Sequence, residues 1–155
     1  LHVFGPNEYH KGRMSSVALQ VYRSILAGEP VRLFRSHNPD YKDGWQMRDF
    51  IYVEDCVAAI EWILDQDAIT GLYNLGTGEA RSFFDMASAV ADAMDEQLIV
   101  EWIDTPVDLR DKYQYFTEAK MDRLREAGFS RTFTSLEDGV KRYVQQFLST
   151  PDPYR

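Results

Sequence analysis

The sequence predicts an α/β domain, and three observations lead there. Apolar runs of strand length alternate along the chain with segments whose apolar residues recur at helical spacing. Glycine or a helix-capping residue stands at most of the junctions between them. The chain has 155 residues, 45% hydrophobic and 14% aromatic, with no internal repeat or low-complexity tract. A single domain of this size buries roughly 68–70% of the surface its unfolded chain exposes, so a real core is expected and disorder is excluded.

Residues 1–4 read as the end of a buried strand, stopped by Gly5-Pro6. From Ser15, the positions Val17, Val21 and Ile25 with Ala18, Tyr22 and Leu26 keep helical spacing, and Gly28 stands where a helix closes. "VRLF" (31–34) is a short strand, and the polar run 35–47 reads as a loop that is long for a compact domain. "RDFIYV" (48–53) alternates like a strand. Asp55 then caps a helix whose apolar face is Val57, Ile60, Ile63 and Leu64. "GLYNLG" (71–76) reads as another strand. Ser82 with Asp85 forms a capping box, ahead of a helix with Phe83, Met86, Ala87, Val90 and Met94 on one face. "LIVEWI" (98–103) is a strand. A helix is expected from Thr117 to about Ala127, before Gly128. A last helix opens at Ser135 with Asp138, its core face being Leu136, Val140, Tyr143 or Val144, and Phe147; Pro151 and Pro153 end it. The chain opens directly on a strand with no initiator Met, so it reads as the second half of a longer protein.

The net charge of -8 argues against nucleic acid, whose binding rests on cation–phosphate contacts. It leaves room for a small anionic ligand held by local cations: Lys11, Arg13, Arg35 and Arg48, with His10 and His37 nearby. One cysteine, Cys56, permits no internal disulfide, and the three histidines lack metal-ligand spacing, so no metal site is expected. No apolar run is long enough to span a bilayer, so neither a membrane nor a secretory route is expected, and a cytoplasmic setting fits.

"GTGEAR" (76–81) lacks the third glycine and the downstream acid of a dinucleotide fingerprint, and reads better as a strand-end turn. Arg48 begins a strand, so its guanidinium projects from fixed backbone. It could grip a pyrophosphate bidentately, or pair with Asp49 or Glu54. If Arg13 begins the first helix, Arg13 and Gln20 share a face with Ser16 or Val17. Lys11 lies just before that helix; solvation is the ordinary state of such a lysine, and proton transfer is the alternative. Tyr113 and Tyr115 share one face of the extended segment "DKYQYFT".

"HVFGP", "RDFIYVEDCVAAI" and "YNLGTGEARSF" resemble, in this order, the C-terminal half of extended short-chain dehydrogenase/reductases that act on nucleotide sugars. "NEYHKGRMSSVA" and "KYQYFTEAKMDRLREAGF" are similar to segments of the ADP-heptose 6-epimerase family. The resemblance implies the end of a Rossmann sheet plus a small α/β substrate-binding domain, with the NADP-binding portion upstream of residues 1–155. It implies NADP-dependent epimerisation at C6″ of an ADP-heptose for lipopolysaccharide core synthesis, by a homo-oligomer. Lys11 would be the second acid–base group, opposite a tyrosine of an upstream Tyr-x-x-x-Lys motif, and Val3 and Lys11 would lie at the cofactor. Arg48 would hold the pyrophosphate. Phe34, Arg35, Ser36 and His37 would line the adenosine pocket, and His2, His10, Arg13, Gln20 and Tyr113 would face substrate. His2 stands where that family has Asn. A related enzyme for another nucleotide sugar, or a non-catalytic binding module, are the alternatives.

Overall fold

The computed structural model describes residues 2–152 and Tyr154. Leu1 and Pro153, named above as the first strand residue and a terminal stop, lie outside the described residues. The strand β1 (His2–Phe4) pairs in parallel with β3 (Met47–Tyr52), setting His2 against Phe50 and Phe4 against Tyr52. The other half of β3 is a hub. It pairs antiparallel with β4 (Ala80–Ser82) and in parallel with β6 (Phe116–Thr117), completing a four-stranded sheet. A separate parallel pair joins β2 (Val31–Phe34) to β5 (Val100–Ile103).

Helix α1 (Val17–Leu26) starts at Ser16, whose hydroxyl accepts from the Leu19 amide. It ends in a Schellman turn: the Glu29 amide donates to the Ser24 carbonyl and the Gly28 amide to that of Ile25, with Gly28 at φ 69°. Helix α3 (Phe83–Ala93) carries the expected Ser82–Asp85 capping box and buries Met86, Ala87 and Val90. Helix α6 (Leu136–Tyr143) opens at Ser135 and runs into a π-turn over Val144–Leu148. The widened turn lets Tyr143 and Val144, alternatives on an ideal helix, both be buried. These helices, β2, Phe4 and Tyr52 make the main core; Ala59, Ala119, Met121, Leu124 and Phe129 make a smaller one.

Four expectations need correction. Helix α2 (Val53–Leu64) starts two residues earlier than Asp55, which does not cap it. The Asp55 carboxylate is 3% exposed and accepts from the Thr134 amide and hydroxyl, tying α2 to the approach of α6. The face of α2 that packs inward is Ala58 and Ala59 with the expected Ile63 beside them, while Val57, Ile60 and Leu64 are exposed. Residues 71–76 form no ladder, because Gly71 turns at φ 118° and Gly76 leaves the line against Asp49 and Ala119. The helix expected from Thr117 is the short α5 (Asp122–Glu126); Thr117 itself pairs with Arg48 in the sheet. A further helical turn, α4 (Val107–Arg110), has no periodic signal in the sequence. Among the described residues no helix is long and apolar enough to cross a membrane.

Candidate functional site

β3 is buried along its length rather than alternating with solvent, and its alternation sorts chemistry onto two faces. On one face Asp49, fully buried, accepts from the Thr77 amide (2.8 Å) and hydroxyl (2.7 Å), the Gly78 amide (3.0 Å) and the Ala119 amide (3.0 Å). A Cβ on Gly76 would sit 2.5 Å from that carboxylate, so only glycine fits. The "GTG" turn is therefore a strand-end turn whose N–H groups serve an internal carboxylate, with none of its cradle left for a cofactor phosphate.

On the opposite face lies Arg48, 7% exposed. It makes no ion pair with Asp49 or Glu54. Its guanidinium is sandwiched between the rings of Phe83 and Tyr113, each 5.5 Å away, and donates one hydrogen bond, to the Met47 carbonyl at 2.7 Å. Its other donors meet no partner among the described residues. Burial pushes the Arg48 pKa down, with the Tyr113 phenol opposing. Cation–π contact on two sides recovers part of the desolvation cost. The remaining guanidinium donors are not sealed among unpartnered buried atoms, so an arriving anion can reach them.

Tyr113 and Phe83 also wall a cavity of about 370 Å³ between α1, β2 and β5. Its lining is mainly apolar (Val17, Val21, Leu33, Phe34, Ile103), with Gln20, Ser24, Gln46 and Arg32, which pairs with Glu101, as polar points. Phe34 meets Tyr113 edge-on at 6.1 Å. Gln46 is 1% exposed and donates to the carbonyls of Phe34 and Arg35, fixing the end of the 35–46 loop. His2, though exposed, packs its ring edge-on to Phe50 and Phe83; partial desolvation there, then the Arg48 charge, holds its pKa below the ordinary imidazole value.

The structure thus gathers Gln20, Phe34, Arg48 and Tyr113, with His2 at the margin. Arg35, Ser36 and His37 do not line the cavity. Arg35 faces Asp43 and Asp104 at 3.8 Å each; the Ser36 hydroxyl donates to the Asn38 carbonyl; the amide of exposed His37 donates to the Tyr115 hydroxyl oxygen. Val3 is 44% exposed on β1. Arg13 does not begin α1 and shares no face with Gln20. With His10 and Lys11 it stands exposed on a separate 3-10 segment, Tyr9–Met14, kinked at Gly12 (φ 53°, ψ −120°). Most of the other lining residues are not marked as site residues by the sequence, and two of them show why. Phe83 has the spacing of a helix core residue, and Gln46 sits in a polar run with nothing to mark it as buried.

With that geometry in place, comparison with known proteins is specific. Residues 1–76 match the NAD dependent epimerase/dehydratase family. The chain is 54% identical over 153 residues to the ADP-L-glycero-D-manno-heptose-6-epimerase of Nitratidesulfovibrio vulgaris (strain DP4), covering 99% of this chain and 47% of that protein. The chain resembles the epimerases of this family from end to end. The enzyme of the same name from Fusobacterium nucleatum is 45% identical over 159 residues, covering 99% of this chain and 48% of that one. Among solved structures, the Helicobacter pylori ADP-L-glycero-D-manno-heptose-6-epimerase superposes with a TM-score of 0.78 at 26% identity, over 96% of this chain and 43% of that chain. The fold is shared with the UDP-glucose 4-epimerase of Thermus thermophilus solved with NAD, at a TM-score of 0.74 and 24% identity, over 96% of this chain and 44% of that one. The chain spans about half the length of the curated relatives it matches.

Proposed function

We propose that this chain is the substrate-binding half of an NADP-dependent ADP-heptose 6-epimerase, converting ADP-D-glycero-D-manno-heptose to ADP-L-glycero-D-manno-heptose in lipopolysaccharide core synthesis, in the cytoplasm and as a homo-oligomer. The observation that carries the reading is Arg48: a buried guanidinium with unused donors, set against two rings of an apolar cavity, in a chain 54% identical to an enzyme of that name. The cavity's 370 Å³ falls within the usual range for small-molecule sites, and its flat aromatic walls suit a nucleobase. In this reading Phe34 and Tyr113 hold the adenosine and Arg48 takes the diphosphate bidentately. Gln20 faces the substrate from α1, and His2 from β1.

Held outside this chain, NADP would supply a hydride acceptor and donor for C6″, so that the carbon can be oxidised and then reduced from the other face. The occupied "GTG" turn supports placing the cofactor's phosphate site in a portion of the protein beyond this chain, with Val3 and Lys11 on the side that meets it. The residues of this chain then have two tasks. Arg48 and the cavity anchor the ADP end. Lys11 accepts a proton from the C6″ hydroxyl oxygen as the carbonyl forms, or gives one as it is reduced, on the face opposite the tyrosine implied upstream. Its exposure on the Tyr9–Met14 segment leaves the amine free to reach a bound sugar, beside His10 and Arg13.

Thermal unfolding with ADP-, UDP-, GDP- and dTDP-sugars tests the reading. The ADP-sugar is expected to raise the midpoint most, and Arg48→Ala to abolish that rise. An equal or larger shift with a uridine or thymidine sugar would move the chain to another nucleotide-sugar enzyme, and no shift with any would favour a different role. Residues 1–155 alone are expected to give no NADP-dependent turnover.

A further inference from the structure

Of the three buried carboxylates among the described residues, Asp49 serves the "GTG" turn and Asp55 ties α2 to Thr134, while Glu8 lies at the root of the Lys11 segment. Glu8 is 3% exposed and has no cationic partner among the described residues. Its Oε2 accepts from the Ser16 amide at 2.5 Å, and its Oε1 accepts from the Ser16 hydroxyl (2.5 Å) and the Tyr143 phenol (2.9 Å). Its own carbonyl accepts from the Lys11 amide at 3.0 Å. Glu8 does not cap the 3-10 segment it opens; its side chain reaches across to where the segment ends.

The topology gives this a meaning. Tyr9 still packs on the main core, but residues 10–14 stand out from the body and return at Ser15–Ser16, so the Glu8–Ser16 bonds close the base of a loop that presents Lys11. Tyr143, fully buried on α6, fastens that base to the main core. Burial and then the Glu8 charge push the Tyr143 pKa up, so it stays a proton donor to the carboxylate. On the far side the Gln20 side chain donates to the Ser15 carbonyl at 2.8 Å, tying the loop's exit to α1. Charge-assisted bonds inside a protein are short and strong, and three on one carboxylate hold it in one place.

We infer that Glu8 is a positioning residue for the proposed reaction: a carboxylate clamp, seated on Tyr143 and Ser16, that holds the base of the Lys11 loop so that the amine meets the reacting oxygen. This rests on the catalytic reading of Lys11. The test uses the full-length enzyme with Glu8→Gln, which keeps the volume but loses one acceptor, and Tyr143→Phe, which removes one hydroxyl. In either variant kcat is expected to fall about tenfold to hundredfold, with KM within about twofold, the loss typical of a group displaced by about 1 Å. Trypsin, which cuts after Lys11 and Arg13, should cleave the folded variant at those sites at least about tenfold faster, reporting a loop released from its base.

In a Lys11→Ala background, Glu8→Gln should cost nothing further in kcat, since a group acting through Lys11 has nothing left to position. Additive losses, an unchanged kcat, or an unchanged rate of cleavage at Lys11 and Arg13 would overturn the clamp. Should Glu8→Gln not fold, Tyr143→Phe carries the same three readings. Full activity in Lys11→Ala would instead overturn the catalytic reading of Lys11, and the cleavage rate would still decide whether Glu8 holds the loop.

Discussion

The proposed function gives Arg48 and Lys11, both cations, to one substrate, yet the fold treats them in opposite ways. Arg48 stands on the central strand with aromatic rings on two sides, fixed before any ligand arrives. Lys11 stands in water on a six-residue 3-10 segment, held by its base at Glu8 and by Tyr9, which packs on the main core. The anchoring cation has lost its solvation in advance, so an arriving anion finds an electrostatic field with little reorganisation left to make. A cation that must move a proton gains from reach and from contact with a group brought by another part of the protein. The difference teaches that anchoring and proton transfer call for different scaffolds even within one half-site.

The largest way to break this comparison is Lys11→Ala in the full-length enzyme. Loss of an acid–base group costs about 10²–10⁴-fold in rate, so kcat for epimerisation should fall by that order with KM and the unfolding midpoint little changed. A normal kcat would remove Lys11 from the chemistry.

Next in size is Asp49→Asn, which separates the two faces of one strand. Asp49 is fully buried with four donors aimed at it, and an amide in its place would turn N–H against N–H. Chemical denaturation should show a loss of about 3 kcal/mol or more. Arg48→Met sharpens the contrast from the other face. Calorimetric titration should find ADP binding weakened at least about 30-fold, the loss of roughly 2 kcal/mol of charge-assisted bonding. The unfolding midpoint should change little, because methionine keeps the contact with both rings while a partly desolvated charge and one hydrogen bond are removed together.

The smallest effect is a pH dependence. Burial and the Arg48 charge both disfavour the imidazolium of His2, so the folded protein binds fewer protons there than the unfolded chain below its ordinary pKa of 6.5. Stability should therefore decline as pH falls through 6.5 toward the lower folded value, and His2→Gln should flatten that part of the curve.

Much of this was legible in the sequence, for reasons that differ by element. Caps and glycines act locally, so Ser82–Asp85, Ser135–Asp138 and Gly28 could be read directly. Asp55 misled because a carboxylate near a helix start has the same signature whether it caps that helix or accepts from Thr134, which is 79 residues away. Val57, Ile60 and Leu64 are spaced as a core face, yet spacing does not say what covers a face. At the site, resemblance supplied Arg48, but its freedom from Asp49 follows from strand alternation combined with the fold of the "GTG" turn. The Glu8 clamp was not legible at all: its partners lie 8 and 135 residues away, and no local pattern joins them.

The most direct measurement is diffraction from crystals of the full-length enzyme soaked with ADP. Adenine should lie in the cavity against Phe34 and Tyr113, with a diphosphate oxygen within hydrogen-bond distance of the Arg48 guanidinium. ADP bound elsewhere, with Arg48 still touching only its two rings, would contradict the account.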